Sequence, residues 1–295
     1  MEIFVEQLLN GLILGSQYAL VAVGLSLIFG IVQIVNFAHG EFFMLGAYAF
    51  SIVYPYDGPI PYPVAVVLTV AIMFVFGVGY ERVVIRPILD RGWHAHIIAT
   101  LATSIVFVNA AMWIWGTSPR TTPTTLSKTT IRVLFVTISW QRLAVFAVTA
   151  LTFWLLHLFI QRTRTGKAMR AMSQNREACA VHGIDVRRIA SLTFGIGAAL
   201  AGLAGSLIAP LFNVLPTMGS LVTLKAFAAV VMGGMGSVTG AISAAFIIGV
   251  TEALAAGYGW HVNIDTAYKD AFPFGMMILV LLLRPHGLFG RRVGI

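Results

Sequence analysis

The sequence predicts an all-α, polytopic membrane protein, a helical bundle of about eight to nine hydrophobic passes. Of the 295 residues, 58% are hydrophobic and 10% are charged, and the mean hydropathy is +0.89. A soluble domain carries about 25% charged residues. Several windows longer than about 18 residues contain no charge, which is the length of a helix that spans a bilayer. These windows lack the short apolar–polar alternation of a membrane β-barrel.

Nine passes are predicted along the chain, and they form a single transmembrane domain over residues 1–295. Short or broken helices are expected among them. The predicted passes are 7–30, 40–54, 62–81, 96–116, 141–160, 189–212, 223–236, 238–257 and 271–284.

The second and seventh passes are unusual because one is short and the other is interrupted. Residues 40–54 supply about 15 residues, or about 22 Å of helix, against a hydrocarbon core of about 30 Å. The seventh pass ends in "VMGGMGSVTG", where Gly233, Gly234 and Gly236 weaken a helix. Short or glycine-interrupted passes in both halves of a chain indicate a transport pathway. A plain tight turn at the membrane surface is the alternative, and it stays open.

Polar residues begin the second pass, where "NFAHGEFF" places an Asn, a His and a Glu between apolar runs. Asn36, His39, Gly40 and Glu41 are therefore candidates for a pathway or gate, together with the three glycines of the seventh pass. A carboxylate at the start of a short helix is favoured by the helix dipole. The alternative is that Asn36 and Glu41 only satisfy backbone groups at a turn.

The distribution of Lys and Arg predicts the orientation, with the N-terminus outside and the C-terminus inside. Thirteen of the 19 basic residues fall in segments 81–95, 161–188 and 284–295, which this orientation places inside. Residues 1–81 contain no basic residue, so no signal peptide is expected. The net charge of +8 fits basic cytoplasmic loops, and no nucleic-acid partner is expected. The single Cys179 excludes an internal disulfide.

Other ionisable residues within the predicted passes are few. Lys225 lies near the outer end of its pass and is expected to reach the interface with its long side chain. Glu252 is expected to make contacts between helices or to meet the outer interface. The sequence contains no HExxH and no Gly-x-Ser-x-Gly motif, so an enzyme is not expected.

The large inner loop, residues 161–188, predicts two short helices. Thr165 to Met172 can form the first, and Asn175 is a good N-cap for a second from Arg176 to Val181, with Gly183 where a helix stops. A structured loop of this length suggests a docking surface for a soluble partner. The stretch "TGKA" lacks the glycines of a phosphate-binding loop. We therefore expect this chain to bind no ATP and no cofactor.

Four stretches of the sequence carry a resemblance to one family. "EACAVHG" (177–183) has the E-A-A-x-x-x-G spacing of the loop by which ABC importer permeases engage their ATPases, with Cys179 in place of the second Ala. Residues 18–48, 224–253 and 268–290 resemble the LivH-type permease of branched-chain amino-acid ABC importers. The resemblance covers nearly the whole chain and is weakest in 54–62 and 117–140.

The resemblance implies a non-catalytic permease subunit in the bacterial cytoplasmic (inner) membrane. It implies a second, different permease subunit and two cytosolic ATPases, which bind ATP and Mg²⁺. An extracytoplasmic binding protein delivers Leu, Ile or Val for inward transport by ATP-driven alternating access. The coupling residues that it implies are Arg176, Glu177, Ala178, Cys179 and Gly183.

Two alternatives remain at this point. Relatives of the family handle amides or urea, so a urea or amide permease is the first. An ATP-independent channel or secondary transporter is the second, and it is less favoured because Glu41 and Glu252 are the only carboxylates available to bind a coupling ion within the passes.

Overall fold

The computed structural model describes residues 2–55, 59–133, 136–258 and 270–290, most of which are helical. A β-hairpin of Thr130–Val133 (β1) and Val136–Ser139 (β2) pairs antiparallel between two of the helices. The helices in chain order are α1 (Glu2–Val32), α2 (His39–Val53), α3 (Tyr62–Tyr80), α4 (Trp93–Trp115), α5 (Thr125–Lys128), α6 (Trp140–Arg162), α7 (Arg164–Gln174), α8 (Arg176–Val181), α9 (Val186–Ile208), α10 (Met218–Gly233), α11 (Val238–Tyr258) and α12 (Ala271–Leu283).

Each of the nine predicted passes coincides with one helix, which confirms the all-α class. Six helices are long and apolar enough to cross a membrane: α1, α3 with its extension to Ile88, α4, α6, α9 and α11. The chain is thus a multi-pass membrane protein. The helices α2, α10 and α12 are shorter, at 15, 16 and 13 residues. The total number of passes and the orientation of the termini stay predictions; Arg291 and Arg292 lie outside the described residues.

Two helix boundaries differ from the prediction for local reasons. The helix α9, which corresponds to the sixth predicted pass, begins at Val186 rather than 189, because the Asp185 carboxylate accepts a hydrogen bond from the backbone N of Arg188 at 3.0 Å and caps the helix. The helix α10, which corresponds to the seventh predicted pass, begins at Met218 rather than 223, immediately after Pro216 and Thr217. Its first turn is therefore part of the fold rather than of a loop.

The core of the bundle is built around α1 and α9. In each of these two helices 83% of the membrane-crossing window is buried, against 11% in α4 and 17% in α6. The helix α1 packs against α9, α10 and α11, and α9 also packs against α2 and α3. Glycines allow this close approach, as where Gly46 of α2 faces Gly202 of α9.

Candidate functional site

The segment between α1 and α2 turns back into the bundle. The helix α1 ends at Val32, and Asn36 Oδ1 then accepts a hydrogen bond from the backbone N of Ala38 at 3.1 Å. The His39 ring at the start of α2 lies against Gly24, about two turns before the end of α1. Gly24 in turn packs on Gly197, which is the twelfth of the 23 residues of α9. The second pass therefore begins beside the middle of α9, about two turns before the end of α1.

Glu41 joins the first turns of two short helices. Its Oε1 accepts hydrogen bonds from Ser104 Oγ of α4 at 3.0 Å and from Ser220 Oγ of α10 at 3.2 Å. Ser104 is the twelfth of the 23 residues of α4, so this contact also lies midway along a spanning helix. Glu41 is fully buried. The positive ends of the α2 and α10 dipoles both lie beside its carboxylate and stabilise a negative charge there.

Glycines bring these two helix starts together. A Cβ on Gly40 would overlap the carbonyl oxygen of Gly219 and the side chain of Thr223, and a Cβ on Gly219 would overlap the Glu41 carboxylate. The absence of a side chain at both positions is therefore what allows α2 and α10 to meet at Glu41.

The same cluster contains a hydrogen-bond donor and an acceptor that are not used. Asn36 Nδ2 and Glu41 Oε2 are buried and have no hydrogen-bond partner among the described residues. Asn36 Oδ1, by contrast, also accepts a bond from Tyr80 Oη at 3.4 Å. Most buried polar side-chain atoms in proteins are hydrogen-bonded. The arrangement can therefore take one further polar group at each of these atoms.

Apolar residues surround this polar cluster on the outer surface of the bundle. On α4, Leu101 and Ile105 are 45% and 64% exposed, and on α10, Leu221 and Leu224 are 53% and 46% exposed. These residues flank Ser104 and Ser220, the two donors to Glu41. Glu41 thus lies one layer beneath an apolar surface at mid-height.

The structure does not bring the glycines of the seventh pass to this cluster. Gly233, Gly234 and Gly236 lie at the opposite end of α10, where Gly234 and Gly236 have φ of +102° and +82° and turn the chain into α11. The backbone N of Leu288 donates to the carbonyl of Met232 at 2.9 Å, so the C-terminal segment docks at this turn. The predicted pathway residues therefore divide between two places, and their role in transport stays a prediction.

Sequence reasoning missed the partners of Glu41. Ser104 gives no signal, because one serine in an apolar helix is common. Gly219 and Ser220 follow "LPT" (215–217), a proline and a threonine that favour a helix start. The predicted pass nevertheless began at residue 223, so the first turn of α10 was missed.

A second polar cluster joins α1, α10, α11 and the residue that precedes α12. Lys225 Nζ donates to Glu252 Oε1 at 2.8 Å, to Asp270 Oδ1 at 2.7 Å and to Tyr18 Oη at 3.2 Å. Tyr18 Oη in turn donates to Glu252 Oε2 at 3.0 Å. The Lys225 side chain is 6% exposed, so the expectation that it extends to the membrane interface is wrong. The buried Glu252 and the partly exposed Asp270 hold it there.

The inner loop folds as the sequence predicts, into α7 and α8. Asn175 Oδ1 caps α8 by accepting a bond from the backbone N of Ala178 at 2.9 Å, and Gly183 ends it with a φ of +78°. Glu177 and Ala178 are exposed, and Cys179 is buried. The helix α8 thus presents one face to solvent and packs the other.

Two further residues of α8 complete this surface. Arg176 forms an ion pair with Asp90 at 3.5 Å, which ties α8 to the segment that follows α3. Val181 is 86% exposed, but a single exposed apolar side chain is common on protein surfaces and does not by itself mark a contact surface. The docking role of the predicted coupling residues stays a prediction.

The fold and this buried cluster define a multi-pass helical membrane protein with a polar site where two short helices begin inside the bundle. A family model described as "Branched-chain amino acid transport system / permease component" matches residues 7–281. The chain belongs to this permease family.

Curated relatives are similar over nearly their whole length. The high-affinity branched-chain amino acid transport system permease protein BraD of Pseudomonas aeruginosa is 37% identical over 98% of this chain and 96% of its own. LivH of Escherichia coli K12, with the same description, is 33% identical over the same shares. LivM, another permease protein of that description from the same strain, is 27% identical over 92% of this chain and 67% of its own.

Proposed function

We propose that this chain is the permease subunit of a binding-protein-dependent ABC importer that moves Leu, Ile or Val inward by ATP-driven alternating access. The observation that carries the proposal is the match of residues 7–281 to the branched-chain amino-acid permease family. The urea or amide alternative is not favoured, because the curated relatives BraD and LivH are described by branched-chain amino acids. The membrane proposed is the bacterial cytoplasmic (inner) membrane, with the N-terminus outside.

Glu41 and Asn36 are the proposed polar contacts of the pathway. An amino acid carries an ammonium and a carboxylate, and each must keep a partner when it leaves water. Glu41 Oε2 is an acceptor for the ammonium, and Asn36 Nδ2 is a donor for the carboxylate. The apolar surface beside them, formed by Leu221 and Leu224, suits an aliphatic side chain.

The same surface is the proposed contact with a second, different permease subunit. Exposed apolar residues on α4 and α10 leave the Glu41 cluster one layer from that contact. This chain is similar to both LivH and LivM of one organism, which supports a pair of related permeases. A pathway between the two subunits would place Glu41 beside the passing substrate.

Two ATPases are proposed to bind beneath the pair of permeases. The inner loop is this chain's proposed docking surface for them, with Arg176, Glu177, Ala178, Cys179 and Gly183 as the coupling residues. The ATPases, not this chain, would bind ATP and Mg²⁺, and the chain itself would be non-catalytic. Closure of the ATPases would move α7 and α8 as rigid bodies and pass the motion to the spanning helices. An extracytoplasmic binding protein would deliver the substrate from the other side.

Radiolabelled leucine uptake into proteoliposomes tests the proposal. The vesicles would contain this chain with its second permease and ATPases, the binding protein outside and ATP inside. We expect ATP-dependent uptake that excess urea does not suppress. Leucine uptake by this chain alone without ATP would contradict the proposal and indicate a channel or carrier. Suppression by urea would indicate the urea or amide class.

The pathway role of Glu41 has its own variant. Glu41→Gln keeps the shape of the side chain but removes the charge. We expect leucine uptake to fall about tenfold or more, because losing one buried charge-assisted hydrogen bond has an effect of that size. The exposed Glu6→Gln is the matched control and should transport normally. Equal uptake by the two variants, with equal amounts of assembled transporter, would reduce Glu41 to a structural residue.

A further inference from the structure

A groove rich in arginine lies where the inner ends of α3 and α9 meet. It has a volume of about 570 Å³. We call it the basic groove; its lining includes Arg82, Arg86, Arg187, Arg188, Phe74 and Leu192. None of them belongs to the Glu41 cluster or to the coupling residues of α8.

Three of the four arginines in the basic groove are available to a ligand. Arg86 is already paired, because its Nη2 lies 2.9 Å from Glu81 Oε2 and 2.8 Å from Ser191 Oγ. Arg82, Arg187 and Arg188 are exposed and form no ion pair within the described ranges of the chain. The remaining charge in the lining is Asp185, whose carboxylate caps α9. The groove therefore has a positive excess at one end of the bundle.

The backbone of α3 widens where it forms this groove. Residues Glu81–Ile85 form a π-helical turn, followed by a 3₁₀ turn at Arg86–Ile88. Glu81 is fully buried and accepts a bond from Ser191 Oγ at 2.6 Å, while Arg82 faces outward. Single π-helical turns inside helices are frequent at functional sites. Here Glu81 points into the bundle from the π-helical turn, and Arg82 points outward into the groove.

An apolar cavity continues the basic groove toward the middle of the bundle. It has a volume of about 330 Å³, and its lining between α3, α6 and α9 includes Phe74, Leu155, Phe159, Ile196 and Leu200. Phe74 lines both cavities. Phe74 is two turns, or about 12 Å, deeper along α3 than Arg82. The two cavities thus form one path from a cationic end to an apolar end inside the membrane-spanning region.

We propose that this path binds an anionic phospholipid, with the phosphate at Arg82, Arg187 and Arg188 and an acyl chain along the apolar cavity. Basic pockets between helices at the inner membrane surface suit anionic headgroups. A soluble anion would use only the cationic end, and an acidic protein cannot enter the hydrocarbon layer. A phospholipid matches both ends, and this inference does not depend on which substrate is transported.

Retention of lipid by the purified protein tests the inference. The full chain, with the subunits that co-purify with it, is incubated in detergent with equal phosphatidylglycerol and phosphatidylcholine, repurified, and its lipids are quantified. We expect phosphatidylglycerol to be enriched. The triple variant Arg82→Gln, Arg187→Gln, Arg188→Gln should retain about tenfold less of it. The control is a second triple variant, Arg162→Gln, Arg164→Gln, Lys167→Gln. It removes the same amount of charge from the inner loop and should retain phosphatidylglycerol as the wild-type chain does.

Three outcomes would overturn the inference. One is equal retention of phosphatidylglycerol by the triple variant and the wild-type chain. Another is displacement of the lipid by excess glycerol 3-phosphate, which would identify a soluble anion. The third is normal lipid retention with loss of the co-purifying ATPases from the triple variant, which would identify an acidic protein surface. If the triple variant does not elute as a single species, Ala199→Phe, which fills the apolar cavity, should lower retention, and normal retention there would also overturn it.

Discussion

At the scale of single residues, the buried charges of the described part of the chain have defined partners. Glu41 has two hydroxyl donors and two helix starts, and Lys225 has two carboxylates. A buried ion costs several kcal/mol unless such partners offset the loss of water. The two clusters differ in one respect. The Lys225 Nζ atom is saturated by three acceptors, whereas Glu41 Oε2 has no partner among the described residues. This difference favours a structural role for Lys225 and supports the proposed contact of Glu41 with substrate.

The structural role of Lys225 predicts that its replacement alone lowers stability strongly, and more than its replacement together with that of Glu252. Lys225→Met leaves Glu252, whose side chain is 5% exposed, without its cation. We expect the free energy of unfolding to fall by about 3 kcal/mol or more. Adding Glu252→Gln removes the stranded charge, so the double variant should recover part of the loss. Unfolding in mixed micelles measures both, with the exposed Lys167→Met as the control.

A purely additive double variant would contradict this account. Additivity would mean that Lys225 and Glu252 do not interact, since coupled neighbours in a double-mutant cycle differ from the sum of the single changes. The same result would restore the expectation that Lys225 acts independently at the interface.

The sequence indicated which polar residues of the second pass are candidates for a site, but it did not indicate their partners. Asn36, His39 and Glu41 were identified because polar residues interrupt an apolar run. Ser104 is 63 positions from Glu41 and Ser220 is 179 positions away, and no local pattern connects them. Contacts of this separation depend on how whole helices pack, which periodicity does not contain.

At the scale of elements, the short helices α2 and α10 share their length and the place where they begin. Each is too short to cross a hydrocarbon core of about 30 Å, and each begins beside Glu41. A helix start inside the membrane is tolerated where protein covers the free backbone groups. The sequence predicted both as irregular passes, but it placed the irregularity of α10 at its glycine-rich end. The structure places the start of α10, and not that end, at the Glu41 cluster.

Close contact between these two helix starts makes Gly40 sensitive to the smallest side chain. Gly40→Ala would place a Cβ against Gly219 and Thr223, and we expect a loss of about 1–3 kcal/mol in the free energy of unfolding. A Cβ on Gly79, near the end of α3, would meet no described atom within 4 Å. Gly79→Ala is therefore the matched control and should be neutral or slightly stabilising. Equal behaviour of the two variants would mean that α2 and α10 do not meet as described.

The two helices of the inner loop were predicted to within two residues, because their structure depends on local signals. Caps and a glycine stop act within four residues, so Asn175 and Gly183 could be recognised directly. The same locality gives a test of coupling. Gly183 has room for a side chain but a φ of +78°, which a β-branched residue adopts with difficulty and Asn tolerates.

Coupling should therefore depend on whether residue 183 can adopt this positive φ, and not on whether its side chain fits. Gly183→Val is expected to lower transport-coupled ATP hydrolysis in the assembled transporter by several-fold, while Gly183→Asn stays near the wild-type rate. ATPase activity with and without the substrate-loaded binding protein measures both. Normal coupling in Gly183→Val would move the docking site away from this loop.

At the scale of the whole molecule, the contacts place several loops on common sides. Arg120 and Val214 exchange backbone hydrogen bonds at 3.1 and 2.9 Å, so the segments that follow α4 and α9 share one end of the bundle. Arg176 and Asp90 pair at the other end. The assignment of these two ends to the two sides of the membrane comes from charge, because arginine-rich segments are retained inside.

Two engineered cysteines test the predicted orientation in intact cells. In a Cys179→Ser background, Thr125→Cys lies on the end that contains the hairpin, and Ser173→Cys lies at the end of α7; both positions are exposed. A membrane-impermeant maleimide should label Thr125→Cys at once and Ser173→Cys only after permeabilisation. The reverse pattern would invert the bundle and place the arginine-rich loop outside. The ATPase-docking proposal and the phospholipid site at the inner leaflet would then fail together. The first requires α8 to face the cytoplasm, and the second requires Arg82 and Arg187 to do so.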